Sequence, residues 1–283
     1  MARAATFEVD GLAVTRFAPD VAAVAPDAAA QSTVTTEAGR TVVIVHGTMD
    51  RSSGFRRTAR ALPELDVVLY DRRGYAGSSD AGLSVTIADQ VDDLAAVIEA
   101  VADRSVGPVV AIGHSLGALI CLHLGLARPD LVSAVGAWEP PVPWFDWYAG
   151  SVGEKARALA ATEDPGEAAE LFMRSMITDR LWDRMPSAMK AERRAEGPAL
   201  LADLELARQA DAEVEFAAMT VPVVAGNGSL SAERFRRSAA VVMAEVPDGL
   251  LVEVAEAEHG VHLSHPAEFA AFVRATVACG PHR

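Results

Sequence analysis

Residues 108–127 read P-V-V-A-I-G-H-S-L-G-A-L-I-C-L-H-L-G-L-A, a short β-branched run joined to a longer apolar run by a corner of small residues. The first run has the length and composition of a buried strand, and the second is long enough for a buried helix. Between them, G-H-S-L-G (113–117) fits the pattern G-x-S-x-G. A strand that turns abruptly into a helix leaves one side chain exposed at the tip and forces Ser115 into an unfavourable backbone conformation. Neighbouring segments then approach within a side chain's breadth, which Gly113 and Gly117 permit. The N–H of Leu116 faces the same space as the serine hydroxyl. It can donate to a developing oxyanion, helped by the helix N-terminus. Average Gly and Ser usage produces the bare pattern in a chain this long with a probability of about 0.1, so the flanking strand and helix carry the weight. Cys121, inside the apolar run, reads as core packing.

Outward from this corner the same rhythm repeats. T-V-V-I-V-H (41–46), D-V-V-L-Y-D (66–71), L-V-S-A-V-G-A-W-E (131–139), V-P-V-V-A-G (221–226) and G-L-L-V-E-V (249–254) are short, nearly unbroken apolar runs. Such runs are expected in a sheet covered on both faces. Helical patterns separate most of them, the clearest over 84–103, where Ile87, Val91, Leu94, Ile98 and Val101 recur at helical spacing behind a cap at Ser84 or Thr86. Alternating strands and helices predict an α/β fold with a doubly wound, mostly parallel sheet. Residues 6–17 alternate around Asp10-Gly11 and predict a hairpin. Residues 18–40 lack periodicity and predict a long surface connection. Between 140 and 219 there are helical segments, best at 169–177 and 199–210, and no convincing strand. The expected organisation is a core of residues 1–139 and 220–283 with a helical cap, 140–219, over the carboxyl edge of the sheet, where open α/β sheets bind ligands.

Composition limits the functions available. The chain has 283 residues, 51% of them hydrophobic, enough for a large core. Its 39 acids against 25 bases give a net charge of −14, which repels phosphate backbones and argues against a nucleic-acid partner. No window of about eighteen apolar residues predicts a membrane span, and the start offers no apolar signal core, so a soluble cytoplasmic protein is expected. The two cysteines, Cys121 and Cys279, lie far apart and form neither a disulfide framework nor a zinc site. No H-E-x-x-H, phosphate-loop or dinucleotide fingerprint is present, so neither metal nor cofactor is expected.

H-G-T-M-D (46–50), D-R-R-G-Y-A-G-S-S (71–79), G-H-S-L-G (113–117), W-E-P-P (138–141) and E-H-G-V-H-L-S-H-P (258–266) occur in the order found in the α/β-hydrolase superfamily, and the chain resembles its serine-nucleophile members that carry a helical cap. The resemblance runs over nearly the whole chain. It implies Ser–acid–His chemistry on acyl or related substrates, with Ser115 as nucleophile. The family's histidine stands a few residues before a proline such as Pro266, which implies His259 as general base, a role suited to an imidazole titrating near neutrality. His262, His265 and His123 fit packing or local hydrogen bonding, and His114 shapes the pocket beside the serine. The second oxyanion donor implied by the family is the N–H after His46-Gly47, that of Thr48. Arg72, Arg73 and Tyr75 fall in a loop that the resemblance makes a structural turn.

The acid departs from the commonest family pattern. In A-G-N-G-S-L (225–230), Ser229 stands where many members carry the aspartate, and serine cannot supply the charge. Some members use the strand before the cap, whose tip here carries Glu139, and Glu139 is therefore the expected acid. Glu256 and Glu258 are near His259 in sequence. The cap entrance offers Trp144, Phe145, Trp147 and Tyr148, which suit an apolar substrate moiety or else glue the cap to the core. The expected function is hydrolysis of an ester or related acyl bond of a small, largely apolar substrate through an acyl-enzyme. C–C hydrolysis, thioester hydrolysis, acyl transfer and cofactor-free peroxidase activity run on the same residues. A non-hydrolytic ligand-binding protein is the alternative from another class.

Overall fold

The computed structural model describes residues 4–20, 38–84, 86–103, 105, 107–148, 152–161, 164–209 and 215–280. The β-branched runs form strands β1 (Ala4–Val9), β2 (Leu12–Phe17), β3 (Thr41–Val45), β4 (Asp66–Tyr70), β5 (Val109–His114), β6 (Val132–Trp138), β7 (Val223–Gly228) and β8 (Gly249–Val254). They make one eight-stranded sheet in the order β1-β2-β4-β3-β5-β6-β7-β8. β2 pairs antiparallel with β1 and β4, and the remaining pairs are parallel. Asp10 and Gly11, both at positive φ, close the expected hairpin between β1 and β2. Most of the connection expected over 18–40 lies outside the described residues.

The helices are α1 (Arg56–Arg60), α2 (Ile87–Ala102), α3 (Leu116–Ala127), α4 (Val152–Ala160), α5 (Pro165–Ile177), α6 (Asp179–Arg184), α7 (Ser187–Ala195), α8 (Gly197–Gln209), α9 (Glu233–Glu245), α10 (Val261–Ser264) and α11 (Pro266–Cys279). Thr86, not Ser84, caps α2. Its hydroxyl accepts from the Asp89 N–H and the Asp89 carboxylate accepts from the Thr86 N–H, a reciprocal cap that contributes about 1 kcal/mol. The Ser84 hydroxyl accepts instead from Gln90.

Alternate residues of the central strands feed opposite faces, as a pleated sheet requires. Val43, Val45 and Val68 join Leu94, Ile98 and Leu119 on one side, while Val42, Ile44, Val67 and Ile112 join Trp138, Phe269 and Phe272 on the other. β3 to β7 are buried throughout. β8 departs from the expected two-sided cover: it is the edge strand, paired only with β7, and Leu250 and Leu251 are exposed. Between β6 and β7, helices α4, α5, α6 and α8 form a separate apolar cluster with Met49 and Tyr75 of the β3 and β4 loops, built around Phe172, Met173, Trp182 and Leu200, and α7 buries no side chain. This seats the helices over the carboxyl ends of β3 and β4. Among the described residues no helix is long and apolar enough to cross a membrane.

Candidate active site

The corner between β5 and α3 takes the strained form its sequence demands. Ser115 has φ 54° and ψ −122°, a region that costs a non-glycine residue roughly 1–3 kcal/mol. Its neighbours hold it there, because its N–H donates to Trp138 O at 2.8 Å and its carbonyl accepts from Ala118 N–H at 2.8 Å. The flanking glycines are obligatory for packing. A Cβ on Gly113 would lie 2.2 Å from Gly117 O, and one on Gly117 would lie 2.2 Å from Val45 O.

The loop before α10 brings His259 to the same place. His259 Nδ1 lies 2.5 Å from Glu139 Oε2. A carboxylate only accepts, so the imidazole proton sits on Nδ1 and Nε2 is left as the bare, basic nitrogen. Glu139 is fully buried at the tip of β6, at φ 45°. Its other oxygen accepts from Gly228 N–H at 2.9 Å, and its own N–H donates to Gly226 O, so the end of β7 fixes both ends of the residue. Ser229, at the alternative acid position, spends its hydroxyl as acceptor for Glu256 N–H. Glu256 and Glu258 are exposed and do not reach His259. The Phe235 ring of α9 stacks on the imidazole with centres 4.0 Å apart, a contact that the sequence did not signal.

Across from the histidine, the His46–Asp50 loop folds against the serine. A Cβ on Gly47 would come within 2.9 Å of Ser115 Cβ, so only glycine allows this approach. Among the described residues, the N–H groups of Thr48 and Leu116 are not spent on any protein acceptor. The loop is held from behind by Arg72, which is completely buried. Arg72 N–H donates to His46 Nε2, its Nε donates to His46 O, and its Nη2 donates to Gly47 O at 3.2 Å. The same guanidinium grips Asp203 of α8 with both outer nitrogens, at 2.8 and 2.6 Å, and Tyr75 OH donates to that carboxylate at 2.7 Å. Burial, then the Arg72 charge, lowers the His46 pKa to about 4, so this imidazole is neutral, with its proton on Nδ1 facing Gly47 O.

Two cavities meet at this point, and Thr48, Ser115 and His259 line both. The first, about 260 Å³, runs between the β6 tip, α4, α8 and α9 and includes Phe145 and Tyr148. The second, about 320 Å³, has Met173, Met176 and Met185 on its helical side and Asp50, His114 and His262 on the other. His114 Nε2–H donates to His259 O at 2.8 Å, and burial, then the charges of His262 and His259, keeps its pKa well below the ordinary value. His262 Nε2 lies 2.9 Å from Asp50 Oδ2 while its ring stacks on Phe55. Burial works to raise the Asp50 carboxyl, but His262 beside it, with His46 and His114, holds it well below the usual carboxylate range. Asp50, His114 and His262 each bring a potential metal ligand atom within 4.8 Å of the others. Asp50 Oδ2 and His262 Nε2 stand 2.9 Å apart, though among the described residues neither atom makes a hydrogen bond.

Of the residues singled out from sequence, Ser115, His259, Glu139, Thr48 and Leu116 come together, and His114, Phe145 and Tyr148 line one cavity or the other. Trp144 and Trp147 line neither. Trp144 packs toward Phe216, and Trp147 stacks on Phe145 beneath Arg237. Alternate rings of that aromatic run face the protein instead of the cavity, a direction that sequence spacing in an irregular loop does not set. Arg72 carries more than a turn, since it ties the loop before Asp50 to α8. Its partner is 131 residues away, and no local pattern marks it.

A cavity-lining hydroxyl, an imidazole held by a buried carboxylate and two unspent amides around one cavity can together activate a nucleophile and receive a developing negative charge. The chain belongs to the alpha/beta hydrolase family, whose model matches residues 42–272. Lipase LipV of Mycobacterium tuberculosis (strain ATCC 25618 / H37Rv) is 34% identical over 127 residues, 45% of this chain and 47% of the lipase, so the match spans about half the length of that relative. A hydrolase from Pseudomonas aeruginosa PA01 superposes with a TM-score of 0.70 at 17% identity, over 97% of this chain and 98% of that one. An enol-lactonase from Burkholderia xenovorans LB400 gives 0.69 at 16% identity, over 97% and 100%. At these identities the two structures speak to the fold.

Proposed function

We propose that the protein is a serine hydrolase that cleaves an ester or related acyl bond of a small substrate, with Ser115 as nucleophile, His259 as general base and Glu139 as the acid. The observation that carries this reading is the 2.5 Å contact of the buried Glu139 with His259 Nδ1, behind a cavity that His259 and Ser115 both line. The contact directs the basic Nε2 away from the carboxylate and makes it the nitrogen available to take the Ser115 proton. Attack on an acyl carbon places negative charge on the former carbonyl oxygen, which the Thr48 and Leu116 N–H groups receive. The imidazolium, stabilised by Glu139, returns its proton to the leaving group, and water repeats the sequence on the acyl-enzyme. Helices α4 to α8 act as a cap that excludes bulk water and shapes the two cavities. The partial sequence likeness to a protein named a lipase supports an acyl–oxygen bond as the one cleaved.

The test is turnover of p-nitrophenyl esters of varied chain length by wild type and Ser115→Ala, with fluorophosphonate labelling in parallel. Ester turnover and labelling, both abolished in Ser115→Ala, are expected. A folded wild type that neither labels nor turns over any ester would overturn the reading and leave a ligand-binding protein.

A further inference from the structure

We infer that the substrate carries an anionic group, a carboxylate in the simplest case, on the part seated in the cavity between α4, α8 and α9, and that Arg157 and Arg234 receive it. The inference names the substrate class of the proposed hydrolytic site and rests on that reading for the reaction, though not for the binding.

The argument starts from how this chain uses its cations. The protein is strongly acidic, and many of its arginines are matched: Arg16, Arg51, Arg72, Arg73, Arg128, Arg174, Arg193, Arg194, Arg208 and Arg274 all lie against carboxylates. In the first cavity the pattern changes. Arg157 of α4 and Arg234 of α9 both line it and are only half-exposed. Among the described residues neither has a carboxylate within ion-pair distance. The Nε of Arg234 is buried with no hydrogen-bond partner at all. An unpaired buried guanidinium donor is costly unless something completes it.

Position supports the same conclusion. The Arg234 guanidinium carbon lies 4.6 Å from the centre of the Phe235 ring, and that ring is stacked on the His259 imidazole. The cation is therefore two ring spacings from the proposed base, within reach of a small substrate. Its charge also acts on the Tyr148 hydroxyl, which lines the same cavity. The three acids of the cavity do not neutralise the pair. Asp203 is consumed by Arg72 and Tyr75, while Asp146 and Glu154 are exposed at the rim, where water and salt screen them. Arg208, the remaining cation, is exposed and held by both oxygens of Glu205. The second cavity differs in its cation: Phe172 and Met176 are shared with the first, Met173, Ile177 and Met185 are its own, and its arginine, Arg193, is paired with Glu196. The site thus offers an anion a place on one side of Ser115, while the other side, among the described residues, holds no unpaired arginine and puts methionines opposite Asp50, His114 and His262. A planar carboxylate matches the donor fork of a guanidinium, which fits it better than a bulkier anion.

The experiment compares charged and neutral esters matched in size. Mono-p-nitrophenyl glutarate against p-nitrophenyl valerate puts the carboxylate on the acyl side, and 4-acetoxybenzoate against 4-tolyl acetate puts it on the alcohol side. At least one charged ester is expected to exceed its neutral partner in kcat/KM. That ratio is expected to fall about ten- to a hundredfold in Arg157→Gln, Arg234→Gln and the double variant, the loss typical of charge-assisted hydrogen bonds. It should also fall with added salt and persist in Arg128→Gln, which lies outside the cavity. No preference for either charged ester, or a preference that survives the double variant, would overturn the inference. Should no ester turn over, the hydrolase reading fails by itself, and binding decides the anion site. Tryptophan fluorescence titrated with glutarate and with pentanol is expected to show saturable glutarate binding that the double variant loses. Equal responses to both compounds, or binding unchanged in that variant, would overturn the site.

Discussion

The two sides of the candidate site are built differently. On the acid side, Glu139, His259 and Gly228 come from the ends of β6 and β7 and the loop after β8, and their partners, with Phe235 of α9 on the imidazole, all lie outside the helical insertion. On the side of the proposed oxyanion donors, the loop carrying Thr48 is braced by Arg72, whose carboxylate partner is Asp203 of α8, within the helical insertion. One side has its partners outside the insertion, and the other has a partner within it. The geometry around the imidazole should therefore survive damage to the insertion, while the amide facing the serine should not.

Four measurements would break or sharpen that contrast. The largest effect is expected for Glu139→Gln, which keeps shape and removes charge: kcat should fall by about 10⁴, as when a triad acid is neutralised. Near-normal turnover would remove Glu139 from the chemistry. Next, Asp203→Asn strands a buried guanidinium and should cost roughly 3–5 kcal/mol in urea unfolding. The double variant Arg72→Met, Asp203→Leu should recover most of that stability and still turn over slowly, because the loop carbonyls of His46 and Gly47 lose their donor. Full activity in the stable double variant would show that the loop needs no brace.

A third, smaller effect tests whether the ends of β6 and β7 are interchangeable. In a Glu139→Ala background, Ser229→Asp should restore activity by about tenfold, since the neighbouring strand tip can present a carboxylate to the same nitrogen. No gain in a folded protein would mean that the β7 route is closed in this chain. The smallest effect concerns pH. His46, held near 4 chiefly by burial, is neutral in the fold and binds a proton more readily once unfolded, where its ordinary value is 6.5. His114, buried and lowered well below that value, behaves likewise. Their contribution to stability is complete above about pH 6.5 and drains as pH falls towards 4. The melting temperature should drop across that window, and a flat profile would mean that these imidazoles are not shielded from solvent protons.

Much of this could be read from sequence because the signals were local. Val42 to Val45 and Val109 to Ile112 announce buried strands, and Gly113 and Gly117 announce a corner where a Cβ would strike backbone. Glu139 was legible as the residue at a strand tip once Ser229 was seen to lack a charge. What escaped depended on distant partners or on direction. Arg72 looks like any loop arginine until Asp203 arrives from another segment, and Phe235 gives no sign that it will lie flat on an imidazole. Trp144 and Trp147 belong to an aromatic run whose irregular backbone points alternate rings away from the cavity. Leu250 and Leu251 resemble core residues because an edge strand and a central strand differ in neighbours more than in composition.

Anyone exchanging lids between relatives to redirect selectivity would have to treat the Arg72–Asp203 clamp as part of the graft. A foreign lid without an acid at that point would strand a cation beneath the loop and slacken the amide proposed to receive the oxyanion, so a loss of rate would be mistaken for poor substrate fit. Carrying Asp203 across with the new lid, or replacing Arg72 in the recipient, separates those two causes at the drawing board.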